Sequence, residues 1–209
     1  MDQIKNIIFD LGGVILDLEY IRTTSAFIDL GIKDFDKIYS QKLQQHFFDD
    51  FEKGNITATQ FRKEVKKHLD SIVSDDSIDA AWNAMLLTIP PSRIELLKQI
   101  QNKYRIFLLS NTNEIHIKAF QEILKRDFGK DILIEVFEKC YYSSMVRLRK
   151  PEPEIFNYVI EQNNLKLSDT LFIDDSIQHV MGALEVGLNA TLLEPGTNIE
   201  QLINQLGLD

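Results

Sequence analysis

Short unbroken apolar runs alternate along this chain with longer segments in which apolar residues recur every three or four positions. The runs are KNIIFDL (5–11), YRIFLLSN (104–111), KCYYSS (139–144), TLFIDD (170–175) and NATLLE (189–194). Each is too short for an ordinary helix, and three show no alternation. Strands buried on both faces of a parallel sheet read this way. Between them, PSRIELLKQIQNK, NEIHIKAFQEILKR, PEPEIFNYVIEQNN and SIQHVMGALEVG carry the spacing of amphipathic helices. Strand and helix in turn predict an α/β fold, a doubly wound parallel sheet with right-handed crossovers.

Residues 17–88 break that rhythm with helical periodicity and no convincing strand. One helix is expected over EYIRTTSAFIDL. A second is expected to start at Thr57, where T-A-T-Q has the form of a capping box, and to run through FRKEVKKHL. A third is expected over SIDAAWNAMLL. Gly54-Asn55 reads as a turn, and Pro90-Pro91 as a boundary with Pro91 in the first turn of the next helix. The predicted organisation is therefore an α/β core over 1–16 and 89–209, interrupted by an all-helical insert over 17–88.

Composition narrows the function classes. The length of 209 residues fits one domain with a modest insertion, and 44% hydrophobic residues can fill a sizeable core. The net charge of -9 argues against nucleic acid, which requires a basic surface, but leaves room for an anionic small molecule at a locally positive site. The single cysteine, Cys140, excludes an intrachain disulfide and is expected to be a partly buried thiol. The apolar run at the start is too short for a signal peptide, and no run approaches the ~20 residues that span a bilayer. A cytoplasmic protein with no membrane partner is expected. The oligomeric state cannot be read.

The candidate chemistry falls at the carboxyl ends of the predicted strands, where open parallel sheets bind ligands. Asp10 ends the first; Ser110, Asn111 and Thr112 end the second; Asp174 and Asp175 end the fourth. Lys150, in RLRKPEPEIF, follows the third. Each has a plainer reading: Asp10 as a turn residue, Ser110 to Asn113 or Asp174 to Ser176 as helix caps, Lys150 as a surface lysine. Together they point elsewhere. Carboxylates crowded on one sheet edge repel unless a cation holds them. An aspartate nucleophile attacking phosphorus needs this set: Mg²⁺ to screen the phosphoryl oxygens, a lysine and a hydroxyl to hold them, and glycines that let the backbone approach.

These motifs, in this order, resemble the haloacid dehalogenase (HAD) superfamily along essentially the whole chain. FDLGGV is similar to its first motif, which implies Asp10 as nucleophile. FLLSNT is similar to the second, with Ser110 binding phosphate and Asn111 beside it. RKPEPEIF is similar to the third, with Lys150 neutralising the phosphate. FIDDS is similar to the fourth, where Asp175 matches a direct Mg²⁺ ligand and Asp174 a water-mediated one. The insert resembles a C1-type cap, and GNITATQF its Gly-x-Ile-Ser/Thr turn, where specificity is expected to reside.

One position departs from the pattern. Most family phosphatases read Asp-x-Asp, the second carboxylate acting as general acid and base; this chain reads Asp10-Leu11-Gly12. The Gly12 carbonyl can still ligate Mg²⁺, but the proton donor is gone. An Asp-Leu-Gly-Gly/Asn subset that includes bacterial sugar-phosphate phosphatases resembles the chain more closely. The resemblance implies a Mg²⁺-dependent phosphatase of a small phosphorylated metabolite. The missing acid favours a good leaving group, such as an anomeric hexose 1-phosphate, or a stand-in donor. Asp17 and His46 are two candidates, though His46 is expected on a cap helix surface. Two alternatives stay open: a weakly active or non-catalytic member, and a metal-independent haloacid dehalogenase.

Overall fold

The computed structural model describes residues 4–35, 38–39, 45–69 and 71–209. Residues 1–3 of the expected core segment, and 36–37, 40–44 and 70 of the expected insert, lie outside the described residues.

The chain opens with β1 (Asn6–Phe9). Among the described residues, the helices α1 (Tyr20–Asp29), α2 (His46–Glu52), α3 (Ala58–Lys66) and α4 (Asp75–Asn83) follow. Then come α5 (Pro91–Ile100), β2 (Arg105–Ser110), α6 (Glu114–Phe128), α7 (Leu133–Val136), β3 (Lys139–Tyr142) and α8 (Ser143–Val146). The chain continues through α9 (Pro153–Gln162), β4 (Thr170–Asp174), α10 (Ile177–Glu185), β5 (Asn189–Leu192) and α11 (Ile199–Leu206). The strands form one parallel sheet in the order β3-β2-β1-β4-β5.

The unbroken apolar runs are explained by burial on both faces. Ile7, Phe9, Ile106, Leu108, Leu171 and Ile173 share one core with α5, α6 and α11. Ile8, Phe107, Leu109 and Phe172 point the other way, into a second core with α9 and α10. Period-2 side-chain alternation thus supplies two layers from the same strands. β1 and β4 lie side by side at the centre, so Asp10 and Asp174 emerge next to each other.

The helical insert is a cap with its own aromatic core. Phe27 stacks on Phe35 with ring centroids 4.2 Å apart, Phe51 on Phe61 at 4.3 Å, and Trp82 packs among Phe48, Phe61 and Tyr39. The capping box at Thr57 forms as expected: Gln60 N–H donates to Thr57 Oγ1, and Thr57 N–H donates to Gln60 Oε1 at 2.8 Å. Two linkers join cap to core side by side, held by Asp17 N to Thr88 O and Leu87 N to Asp17 O, both 3.0 Å.

Several boundaries differ from those expected. α2 is the cap helix expected to carry His46; its bounds were not legible, because seven residues with adjacent phenylalanines give too short a window for a helical period. α4 was expected over 77–87 but covers Asp75–Asn83: Ser74 caps it by accepting from Ser77 N–H, and the last residues turn toward the core. β3 stops at Tyr142 because the Ser143 hydroxyl, 2.6 Å from Glu52 O and 3.0 Å from Thr112 O, diverts the chain into α8. Cys140 is half-buried, and burial pushes its thiol up to about 12, so it is an inert thiol.

Candidate active site

Three expected residues meet beyond the central strands. Lys150 Nζ lies 2.6 Å from Asp10 Oδ1, 2.6 Å from Asp174 Oδ2 and 3.0 Å from Leu109 O. All three ammonium donors are engaged, and the lysine side chain has no solvent exposure. Burial lowers its pKa, but the two carboxylates outweigh burial and hold it charged.

Asn111 fixes the lysine's backbone. Its Nδ2 donates to Lys150 O and its Oδ1 accepts from Lys150 N–H, both at 2.9 Å. The side chain that was expected to bind phosphate is therefore also a clamp on the loop that delivers Lys150. Ser110 is buried at the end of β2. Its hydroxyl makes only a 3.5 Å contact with Asn111 O, which leaves it available to a ligand. The plainer helix-cap reading holds alongside the functional one: Asn113 caps α6 through its side chain.

Asp174 is held on every side. Its Oδ1 accepts from Ser176 N–H at 2.8 Å and faces His179 Nδ1 at 3.0 Å, while Oδ2 takes Lys150. Burial pushes this carboxyl up, but Lys150 and His179 reverse that and hold it at about 2. Asp10 behaves oppositely. Burial raises it toward about 7, Asp174 and Asp175 push the same way, and Lys150 alone pulls it down. Two neighbouring acids with one lysine leave the nucleophile candidate short of positive charge.

A divalent cation would supply that charge. Ligand oxygens of Asp10, Asp174 and Asp175 all lie within 4.8 Å of one another. The turn after β1 adds a fourth oxygen. Leu16 N bonds to Leu11 O at 2.7 Å and Gly13 N to Leu16 O at 2.8 Å, and among the described residues no backbone N–H bonds to the Gly12 carbonyl. Gly13 makes the approach possible. Its φ is +77°, and a Cβ there would lie 2.3 Å from Asp175 Oδ2. Carboxylate and carbonyl oxygens around a negative centre suit a hard cation such as Mg²⁺.

Asp10, Gly12, Ser110, Asn111 and Asp175 line a cavity of about 110 Å³ between core and cap. The cap contributes Leu18, Tyr20, Tyr39, Glu52, Met85 and Leu86. Sequence reasoning missed these, together with Arg149, His116 and His179. His179 sits in the first turn of α10, five residues past Asp174, a spacing that could have revealed it. The two candidate stand-in donors and the GNIT turn fall outside the cavity lining. His46 is exposed at the start of α2, on a cap helix surface as expected. Asp17 also lies outside the cavity lining, paired with Arg93 at 2.8 Å across the linker. The GNIT turn packs Gly54 against the Ser144 carbonyl instead of facing the ligand space.

Fold and site define a capped α/β hydrolase whose chemistry centres on a buried carboxylate cluster and a lysine. The chain belongs to the haloacid dehalogenase-like hydrolase family, which matches residues 4–187. It is 30% identical over 199 residues to a D-ribitol-5-phosphate phosphatase from Bacteroides thetaiotaomicron, covering 95% of this chain and 96% of that protein. The crystal structure of a wild-type HAD-family enzyme from the same organism, in complex with magnesium and inorganic phosphate, superposes with a TM-score of 0.83 at 36% identity, covering 95% of this chain and 98% of that one. A predicted HAD-like hydrolase from Porphyromonas gingivalis superposes with a TM-score of 0.87 at 28% identity, covering 99% of both chains.

Proposed function

We propose that this protein is a Mg²⁺-dependent phosphatase of a small sugar or polyol phosphate, acting through an aspartyl-phosphate on Asp10. The observation that carries the reading is Lys150, buried between Asp10 and Asp174 at 2.6 Å from each, with Asp175 and the Gly12 carbonyl beside them. The relatives that act on a phosphorylated polyol, or were crystallised with magnesium and phosphate, support it.

In this reading Asp10, Asp175 and the Gly12 carbonyl hold the metal, with Asp174 acting through water. When bound, the metal screens the negative phosphoryl oxygens from the nucleophile. Ser110 and Asn111 receive the phosphoryl group. Lys150 exchanges a carboxylate contact for a phosphoryl oxygen, since its three donors are already engaged. Asp10 then attacks phosphorus, the alcohol departs, and water cleaves the acyl phosphate to restore the carboxylate. Residues 17–88 act as the cap that closes over the reaction and excludes water. With the alternating core at 1–16 and 89–209, this gives one catalytic unit, suited to a cytoplasmic metabolite.

The test is phosphate release from a panel of terminal polyol phosphates, anomeric sugar phosphates including hexose 1-phosphates, and an aryl phosphate, with Mg²⁺ and with chelator. Mg²⁺-dependent turnover is expected. Absence of turnover from a folded protein would reverse the reading in favour of a ligand-binding member. Halide release from a haloacid without metal would reverse it in favour of a dehalogenase.

A further inference from the structure

The loss of an acid at position 12 has a structural counterpart. A Cβ built on Gly12 would lie 2.6 Å from Leu18 Cδ1. The linker into the cap thus fills the space where a side chain at position 12 would begin. Two residues further on, Tyr20 opens α1 and lines the same cavity as Asp10, Gly12 and Asp175. We infer that the Tyr20 hydroxyl donates a hydrogen bond to the ester oxygen of the substrate, in place of the absent acid at position 12. The inference rests on the phosphatase reading and assigns the leaving-group contact within it.

Ser110 and Asn111, at the end of β2, are assigned to the phosphoryl group in the phosphatase reading, and several other polar side chains of the cavity are held elsewhere. His116 Nε2 faces the Trp82 carbonyl at 3.1 Å, which can only accept, and burial keeps the ring neutral; its Nδ1 therefore carries no proton. His179 is held on Asp174. Arg149 is engaged by Asp49 and Glu52. Tyr39, on the same cavity, has Glu52 and Arg149 as its charged neighbours. Tyr20 lines the cavity together with Asp10, Gly12 and Asp175, and burial keeps its phenol protonated. A neutral O–H in the cavity that holds the nucleophile is a donor for an oxygen that is gaining negative charge.

The step balances. Asp10 forms a bond to phosphorus while the phosphorus–oxygen ester bond breaks, and its electron pair goes to the leaving oxygen. Tyr20 stabilises that charge by hydrogen bonding. The alkoxide takes a proton from water, and the resulting hydroxide attacks the aspartyl-phosphate, giving inorganic phosphate and the free carboxylate. Tyr20 ends as it began.

The test is leaving-group dependence. Tyr20→Phe is expected to lower kcat/KM for a terminal alkyl phosphate roughly ten- to a hundredfold, the range of one hydrogen bond to a charged oxygen. An aryl phosphate, which leaves without help, is expected to change by less than about threefold. Tyr39→Phe is expected to keep the wild-type alkyl-to-aryl ratio. Equal losses on both esters, or no loss on either, overturn the inference while leaving the phosphatase reading intact. The wild type alone supplies a second measurement. A shallow dependence of kcat/KM on leaving-group pKa supports a donor, and a steep one overturns it even where Tyr20→Phe does not fold. Absence of Mg²⁺-dependent turnover of every ester by the wild type overturns the phosphatase reading itself, and this inference with it.

Discussion

Arg149 Nη2 donates to Glu52 Oε2 at 2.8 Å, while its Nη1 lies 2.8 Å from Asp49 Oδ1. The guanidinium belongs to the loop that carries Lys150, and the two acids belong to α2 of the cap. The Arg149 and Glu52 side chains are only 18% and 13% exposed, so water screens this contact weakly. Both side chains line the cavity that holds Asp10. Arg149→Ala is expected to weaken cap closure and lower kcat/KM by about 1–3 kcal/mol of transition-state stabilisation, the usual cost of breaking a largely buried charged pair. Faster amide exchange in α2 should accompany the loss. Wild-type kinetics together with unchanged exchange would show that the pair has no part in closure.

Metal binding should be visible without turnover. A cation that binds only the folded state raises Tm, by about 2.7 kcal/mol of added stability at a hundred times its Kd. Mg²⁺ is expected to raise the Tm of the wild type. Asp175→Asn should remove most of that rise and leave the metal-free Tm equal or higher, since the change removes a charge that pushes against Asp10. A scanning calorimeter decides it. A shift as large in Asp175→Asn as in the wild type would take Asp175 out of the ligand set.

Two glycines with nearly the same positive φ offer a controlled comparison. Gly13 has φ +77° and Gly129 has φ +74°. A Cβ on Gly129 meets nothing within 4 Å, whereas one on Gly13 would lie 2.3 Å from Asp175 Oδ2. Gly129→Ala should cost only the left-handed strain, about 1–2 kcal/mol. Gly13→Ala should cost that and displace Asp175 as well, so Mg²⁺ affinity falls in one variant and holds in the other. Isothermal titration with Mg²⁺ measures the difference. Equal affinities would mean that the carboxylate moves aside without consequence.

What was legible in the sequence follows a physical line. The strands showed themselves because burial on both faces leaves unbroken apolar runs, as in IIF and FLL. Asp10, Ser110, Lys150 and the Asp174-Asp175 pair showed themselves because a carboxyl strand end is a fixed place in a parallel sheet. Tyr20, Glu52 and Arg149 did not. Each resembles an ordinary helix or surface residue until the cap folds over the core, and cap orientation is set by contacts with no local periodicity, such as Trp82 on His116 at 4.7 Å. The bounds of the short helix α2 were hidden for a related reason: adjacent Phe47 and Phe48 both pack in the aromatic core, so no single stripe stands out.

That contact between Trp82 and His116 is expected to make cap docking sensitive to pH. His116 is buried in α6 beneath α4 of the cap, and burial pulls its pKa from 6.5 to about 4. Above about pH 6.5 both folded and unfolded chains hold it neutral. As pH falls below that value the unfolded chain takes up a proton that the folded chain refuses, so stability declines until about pH 4 and then levels off. The shift corresponds to roughly 3 kcal/mol at full extent. His116→Gln keeps a donor for the Trp82 carbonyl but does not titrate, and its Tm should fall less between pH 7 and pH 5 than that of the wild type. Asp10, raised by burial, contributes the opposite slope in both proteins, so the difference between them isolates His116. Parallel Tm profiles would show that the ring is protonated in the folded state, with the cap moved far enough to hydrate it.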